Sequence, residues 1–309
     1  MLVEAIKGHP DAADLYYDLS EKHYRAGDLD GYAKFFHQAF VRKPVVDIGW
    51  PVDTPDDSRE ASLEKNDRAR ALITRGVRFA PVIAALAITE GQLGREASIS
   101  RLMDFERFML RGQLEPPDGT SVADFNGALA EEIKSDLTYY DMPADRSIRR
   151  AWRFNALHRT QSPAMRSFLR LLKDTVAGYI AGLPEEPDHP FLAVRPDEFE
   201  VGGWAVVSDG RSYHKPHLHP RAWATGVYYV VQPEISRESE RGWLRVGPPP
   251  KLRDAWEPRL IEPVPGSFVL MPGYFWHETE PMGVDQERIC IAFEVRSPEL
   301  ALGDEDGDY

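Results

Sequence analysis

Three histidines carry the residue type and spacing of a metal site. His217 and His219 stand two apart in YHKPHLHP. On a strand, alternate residues project from one face, so this pair could grip one ion. His214, in the same segment, has the wrong parity to join them without a bulge. A third ligand must come from elsewhere, and His277 in MPGYFWHETEP lies 60 residues beyond His217, just past the expected strand GSFVLM. Neutral imidazoles suit iron, zinc, copper or nickel, and three ligands from one side leave coordination positions open for substrates. A single histidine on a strand is more often an ordinary core or surface residue. The pair, the distant histidine and a following arginine together set this group apart.

That arginine is Arg288, eleven residues after His277 at the head of RICIAFEV. Strand alternation places Arg288, Cys290, Ala292 and Glu294 on one face and Ile289, Ile291, Phe293 and Val295 on the other. The first face sets small side chains beside a fixed cation, with room for an anion; the second can pack under helices. A guanidinium suits bidentate recognition of a carboxylate. The plainer alternative is a strand-end arginine in a surface salt bridge.

The elements that must position these residues fall into two textures. From about residue 195 to 298, short β-branched and aromatic runs (GGWAVVS, ATGVYYVVQ, GWLRV, GSFVLM, RICIAFEV) alternate with Gly, Pro and Asp turns, the pattern of a sandwich or barrel. Trp204, Trp223, Tyr228, Tyr229 and Trp276 are candidates for a pocket wall. Before this core, Val122, Phe125, Leu129 and Ile133 recur at helical spacing behind Ser121 as N-cap. A second helix is expected over Pro163 to Leu183, with Ser162 as N-cap and a stripe of Met165, Phe168, Leu169, Leu172, Val176, Tyr179, Ile180 and Leu183. LPEEPDHPFLAVRP, Leu183 to Pro196, reads as a connector. Residues 1–115 are expected to form a helical region. Leu15 to Pro44 resembles one tetratricopeptide-type hairpin: Tyr16, Leu19 and Tyr24 on a first helix, Gly27 at the turn, Phe36 and Ala39 on a second, Pro44 closing it. Two or three more helices follow, and the tail GDEDGDY is expected to fray.

Composition narrows the function classes. The chain has 309 residues, 42% hydrophobic and 28% charged, which is globular composition. A net charge of −13 repels phosphate backbones and anionic lipid, so neither nucleic acid nor membrane is an expected partner. The single cysteine, Cys290, cannot form an internal disulfide or a Cys-based zinc site. The start MLVEAIKGHPDAAD lacks a signal pattern, and no apolar stretch approaches the roughly 20 residues of a membrane span; a cytoplasmic location is expected. No GxGxxG, GxxxxGK[ST] or GxSxG occurs, which removes the usual nucleotide-cradle and serine-hydrolase motifs.

The combined pattern resembles the Fe(II)- and 2-oxoglutarate-dependent oxygenase superfamily, whose double-stranded β-helix carries His-x-Asp/Glu, a distal His and a basic residue about ten positions later. GGWAVVSDGRSYHKPHLHPRAWATGVYYV is similar, more narrowly, to the 2OG-Fe(II) oxygenase branch related to prolyl 4-hydroxylases, matched at Trp204, Gly210, His217 to Pro220 and Thr225 to Val230. The likeness continues through Gly242, Gly266, Pro272, His277, Pro281 and Arg288, and covers roughly residues 120 to 298; tetratricopeptide-like N-termini also accompany this branch. The resemblance implies a jelly-roll or cupin-like core, 116–309 with its supporting helices, in an α+β protein. It implies His217 and His277 as iron ligands and Arg288 as the holder of the distal carboxylate of 2-oxoglutarate, with O2 as the second cosubstrate. His219 stands where most of the superfamily has Asp or Glu, and is expected as the third ligand. Cys290 stands where Ser is frequent, and Glu294 where the branch often has Asn.

The expected activity is hydroxylation of a C–H bond with release of succinate and CO2. The hairpin region points to a protein or carrier-bound substrate ahead of a free metabolite. Two other readings stay open: a three-histidine cupin metalloenzyme that does not use 2-oxoglutarate, and a non-catalytic helical-repeat binding protein.

Overall fold

The computed structural model describes residues 2–43, 58–117, 119–135, 140–141, 148–154, 157, 162–233, 239–249, 252, 256–279, 282–284 and 286–298. Pro44, Pro281 and the acidic tail lie outside the described residues. Two compact units divide the chain: Met1–Met103 with Glu186–Val194, and Asp104–Glu185 with Arg195–Tyr309.

The first unit is helical, with α1 (Leu2–Gly8), α2 (Ala13–Arg25), α3 (Leu29–Arg42), α4 (Arg59–Thr74), α5 (Ala80–Gln92) and α6 (Glu96–Leu102). The hairpin forms where its residues place it. Gly27 takes φ +75° at the turn, a conformation that costs a side-chain-bearing residue more, and Asp28 caps α3 by accepting from the Gly31 N–H. Tyr16, Leu19, Phe36 and Ala39 are buried, while Tyr24 lies half-buried under the Arg68 guanidinium, 4.0 Å from its ring centroid. The segment read as a connector contributes its middle to this unit: Glu186–Val194 ends in a 3-10 turn, and the His189 ring meets the Arg101 carbonyl at 3.1 Å. Among the described residues no helix is long and apolar enough to cross a membrane.

The second unit holds α7 (Phe105–Phe108), β1 (Leu110–Gln113), α8 (Val122–Ser135), β2 (Tyr140–Asp141), β3 (Ile148–Phe154), α9 (Pro163–Gly182), β4 (Glu200–His217), β5 (Ala224–Val231), β6 (Leu244–Val246), β7 (Arg259–Ile261), β8 (Ser267–Pro272), β9 (His277–Thr279) and β10 (Arg288–Arg296). All their pairings are antiparallel, in the order β1-β8-β5-β10-β4-β9-β6-β7, with β3 on β4 and β2 on β3. This is the double-stranded β-helix, or jelly roll, preceded by a helical region. β1 and β3 lie upstream of the expected strand-rich stretch, and β1 pairs with β8, so its residues belong to the sheet and not with the N-terminal helices.

Long β4 closes the roll. Its first half lies between β10 and β3; its end pairs with β9, after a register irregularity between His214 and His217. β10 sits centrally, flanked by β4 and β5. At Gly226 a Cβ would come within 2.3 Å of both the Phe293 ring and the Val269 carbonyl oxygen, so this close approach of strands requires glycine. The outer face of β5 packs under helices. Tyr228 donates to Asn126 of α8 at 2.6 Å and packs at a tilt against Phe168 of α9, with centroids 5.0 Å apart, while Asn126 donates to the Val230 carbonyl. The face of Ile289, Ile291 and Phe293 shares that side, because Ile291 and Tyr228 are register partners. Of the α9 stripe, Met165, Phe168, Leu172, Val176, Tyr179 and Leu183 are buried, and Leu169 and Ile180 form its half-buried rim. Ser162 occupies the N-cap position of α9 without a side-chain cap bond. The Glu132 carboxylate of α8 takes that role, accepting from the Ala164 and Met165 N–H groups at 2.9 Å each.

Candidate metal centre

Cross-strand pairing brings the histidines together. His217, the last residue of β4, faces His277, the first of β9, and their ring centroids are 4.2 Å apart. His219 lies past the end of the strand, not on it, yet its ring is 5.3 Å from His217 and 5.1 Å from His277, parallel to the latter within 2°. One ligand nitrogen from each ring lies within 4.8 Å of the other two. His214 stays outside this group. The bulge between it and His217 stacks its ring on His217 at 5.7 Å, and its backbone N–H donates to the Thr279 hydroxyl.

The second nitrogen of every ring is committed to an oxygen acceptor. His217 Nδ1 meets the Lys215 carbonyl at 2.7 Å, His277 Nδ1 the Phe275 carbonyl at 2.9 Å, and His219 Nδ1 the Glu294 carboxylate at 2.6 Å. Each Nδ1 must then carry the proton, which leaves the Nε2 lone pairs for a metal. Burial first, and the like charge of His219 second, push the His217 ring down to about 3. Burial, then His217 and His219, hold His277 well below the ordinary imidazole value. These two rings are neutral near pH 7, although each keeps part of its surface open to solvent. Burial acts to raise the Glu294 carboxyl, but its hydrogen bond to His219, the charge of that ring and Arg296 outweigh it and hold it down to about 2. The donor set fits a first-row divalent metal bound by three nitrogens from one side.

This arrangement carries a pH signature. An unfolded imidazole protonates near pH 6.5, so as pH falls the unfolded chain takes up protons before the folded one does. The metal-free fold therefore loses stability as pH drops from about 6.5 toward 3, and Glu294 adds a loss between about 4.5 and 2. The slope stays under about 1.4 kcal/mol per pH unit per group, reduced by solvent screening of the partly exposed rings. Thermal denaturation of the metal-free protein between about pH 8 and 4 should show a falling midpoint; a flat one would contradict the neutral rings.

Arg288 sits at the other end of the same face of β10. It is 5% exposed and pairs with no carboxylate among the described residues, which rules out the surface salt bridge considered above. Its Nη1 reaches the Gly242 carbonyl at 3.4 Å, and the Cys290 thiol is a hydrogen-bonding neighbour; burial raises that thiol although Arg288 opposes the shift. Arg288 Nε, Ser208 Oγ and Tyr229 OH are buried without hydrogen-bond partners. Ser208 is the register partner of Arg288, and Tyr229 that of Cys290, so all three point to one side of the sheet. Two buried hydroxyls left open beside a guanidinium whose own Nε is unpaired fit an anionic, acceptor-rich ligand such as a carboxylate. Six residues of strand, about 20 Å, separate Arg288 from Glu294 beside the histidines, with only Cys290 and Ala292 between them on that face.

Of the aromatic candidates, Trp204 stacks on His219, with centroids 6.0 Å apart, and Tyr229 shares the Arg288 face. Tyr228 lies on the opposite face, and Trp223 packs against Tyr179 of α9 at 5.9 Å. Trp276 is buried beside His277 with its indole N–H unpaired. The sequence offered no signal for Ser208 at this site. The partnership of Glu294 with Arg296 could have been read from their i, i+2 spacing on one strand face.

Residues 202–294 match the protein family described as "Putative 2OG-Fe(II) oxygenase". No curated protein matches the sequence. Among solved structures, a prolyl-4-hydroxylase from Pseudomonas putida is 20% identical, with a TM-score of 0.46, over 63% of this chain and 96% of that one. A Trichoplax adhaerens prolyl hydroxylase, solved with a hypoxia inducible factor peptide, is 12% identical (TM-score 0.45, 67% and 91% covered). HygX from Streptomyces hygroscopicus, solved with nickel and 2-oxoglutarate, is 13% identical (TM-score 0.42, 64% and 87% covered). Identities this low say nothing of substrate.

Proposed function

We propose, for a chain whose residues 202–294 match the family described as "Putative 2OG-Fe(II) oxygenase", a non-haem hydroxylase that uses Fe(II), 2-oxoglutarate and O2. The observation that carries this reading is the pairing of two sites on one sheet face: three imidazoles with free Nε2 atoms, and Arg288 with unpaired polar neighbours. When bound, iron and 2-oxoglutarate supply oxygen activation, in which one oxygen atom enters a substrate C–H bond and the other leaves in succinate, with CO2 released. His217, His219 and His277 hold the metal through Nε2. Arg288 binds the distal carboxylate of 2-oxoglutarate, and Tyr229 and Ser208 can donate to it. Trp204 covers one side of His219 and excludes water there.

A hairpin-bearing N-terminal region favours a protein or carrier-bound substrate. The neutral donor set favours one second reading, a three-histidine metalloenzyme independent of 2-oxoglutarate. Arg288 and its open polar neighbours favour the first reading, since they offer a second, anion-binding site on the same sheet face that a dicarboxylate cosubstrate would use. Anaerobic titration of the Fe(II)-loaded protein with 2-oxoglutarate separates the two. Bidentate chelation should bring up a visible charge-transfer band, and turnover in air should release succinate. Neither band nor succinate from iron-loaded protein would overturn the oxygenase reading.

A further inference from the structure

Glu294 is outside the ligand set, yet it is the residue that holds the third ring. The two side chains are 6% and 1% exposed, and His219 Nδ1 lies 2.6 Å from Glu294 Oε1. The other carboxylate oxygen accepts from Nε and Nη2 of Arg296, itself 1% exposed. His217 and His277 are placed by the β4–β9 ladder, and their Nδ1 groups are satisfied by carbonyls two residues away. His219 has neither support. It lies beyond the end of β4, and its Nδ1 partner is 75 residues distant on β10. A ligating imidazole whose other nitrogen donates to a fixed carboxylate is held to one tautomer and one orientation, and becomes a stronger donor.

We propose that Glu294 is a positioning residue for the metal: its carboxylate, anchored on the far side by Arg296, orients His219 so that Nε2 converges with those of His217 and His277. The proposal rests on the metal-site reading above and adds the residue that completes it. A loop histidine becomes a usable third ligand because a neighbouring strand supplies a buried acceptor. The position normally taken by a carboxylate ligand is filled by an imidazole with a carboxylate behind it.

Co(II) is the probe, added to the full-length metal-free chain while affinity and visible absorption are followed in wild type, Glu294→Gln and Glu294→Asp. Glutamine keeps the volume of glutamate but offers a neutral amide, and it should bind Co(II) about 10- to 100-fold more weakly, with shifted visible bands. Aspartate retains the charge and should recover part of both. Circular dichroism and melting of the metal-free proteins report whether the fold is kept. If Glu294→Gln unfolds the chain by taking the carboxylate from Arg296, Glu294→Gln with Arg296→Gln removes that buried cation and is read in the same way. A folded variant lacking the carboxylate that binds Co(II) with wild-type affinity and spectrum overturns the proposal while the metal site stands. A wild type that binds no Co(II) overturns the metal-site reading and this proposal together.

Discussion

Arg288→Ala is expected to raise the 2-oxoglutarate concentration needed for turnover by roughly 30- to 5,000-fold, the equivalent of losing one buried charge-assisted pair at about 2–5 kcal/mol. The effect is large because the guanidinium is 5% exposed and no protein carboxylate competes for it among the described residues. Once it is removed, Ser208 Oγ and Tyr229 OH remain as the buried polar groups facing the ligand, and neutral hydroxyls bind a carboxylate far less well. Iron binding should be preserved, since the histidines lie beside Glu294, at the far end of the β10 face that Arg288 begins. Succinate release at varied 2-oxoglutarate, with iron content measured in parallel, checks both halves. An unchanged requirement would place the cosubstrate elsewhere; loss of iron as well would mean that Arg288 supports the fold and not the ligand.

His277→Ala or His217→Ala should abolish stoichiometric Fe(II) binding and the 2-oxoglutarate charge-transfer band with it. Each removes one of three nitrogens that lie within 4.8 Å of one another, and the two neutral imidazoles left hold Fe(II) far less tightly than three. His219→Ala should also weaken binding strongly. His214→Ala is the control and should bind iron like wild type, because the His214 ring is stacked on His217 and its ring nitrogens are not among the convergent ones. Iron content after anaerobic reconstitution and desalting distinguishes the four variants. A silent His219→Ala beside a damaging His214→Ala would reverse the ligand assignment.

Much of this site was legible in the sequence because strand geometry is regular. The alternation along RICIAFEV needs no knowledge of partners, and the Arg288, Cys290, Ala292, Glu294 face follows from the pleat alone; the strand parity read for His217 and His219 does not hold, because His219 lies past the end of β4. The amphipathic spacing of α8 and α9 is equally local, and the structure buries the residues that spacing selects. His277 was singled out by its place just past the expected strand GSFVLM, and the family resemblance implied its pairing with a segment 60 residues away.

The rest required tertiary structure, because it depends on which strands neighbour each other and in what register, and a slip of one residue would turn every side chain to the other face. Ser208 joins Arg288 only because β10 pairs with β4 in one particular register. The irregularity in β4 decides that His214 stacks outside the cluster, and His219 converges from a loop where strand parity no longer applies. Ser162 holds the sequence position of a cap, but Glu132, from another helix, makes the bonds. Glu294 could be placed on the right face from alternation alone. That it grips His219 was set by the closing of the roll, which buries the two side chains together although 75 residues separate them, and leaves to the His219 ring the Glu294 oxygen that Arg296 does not take.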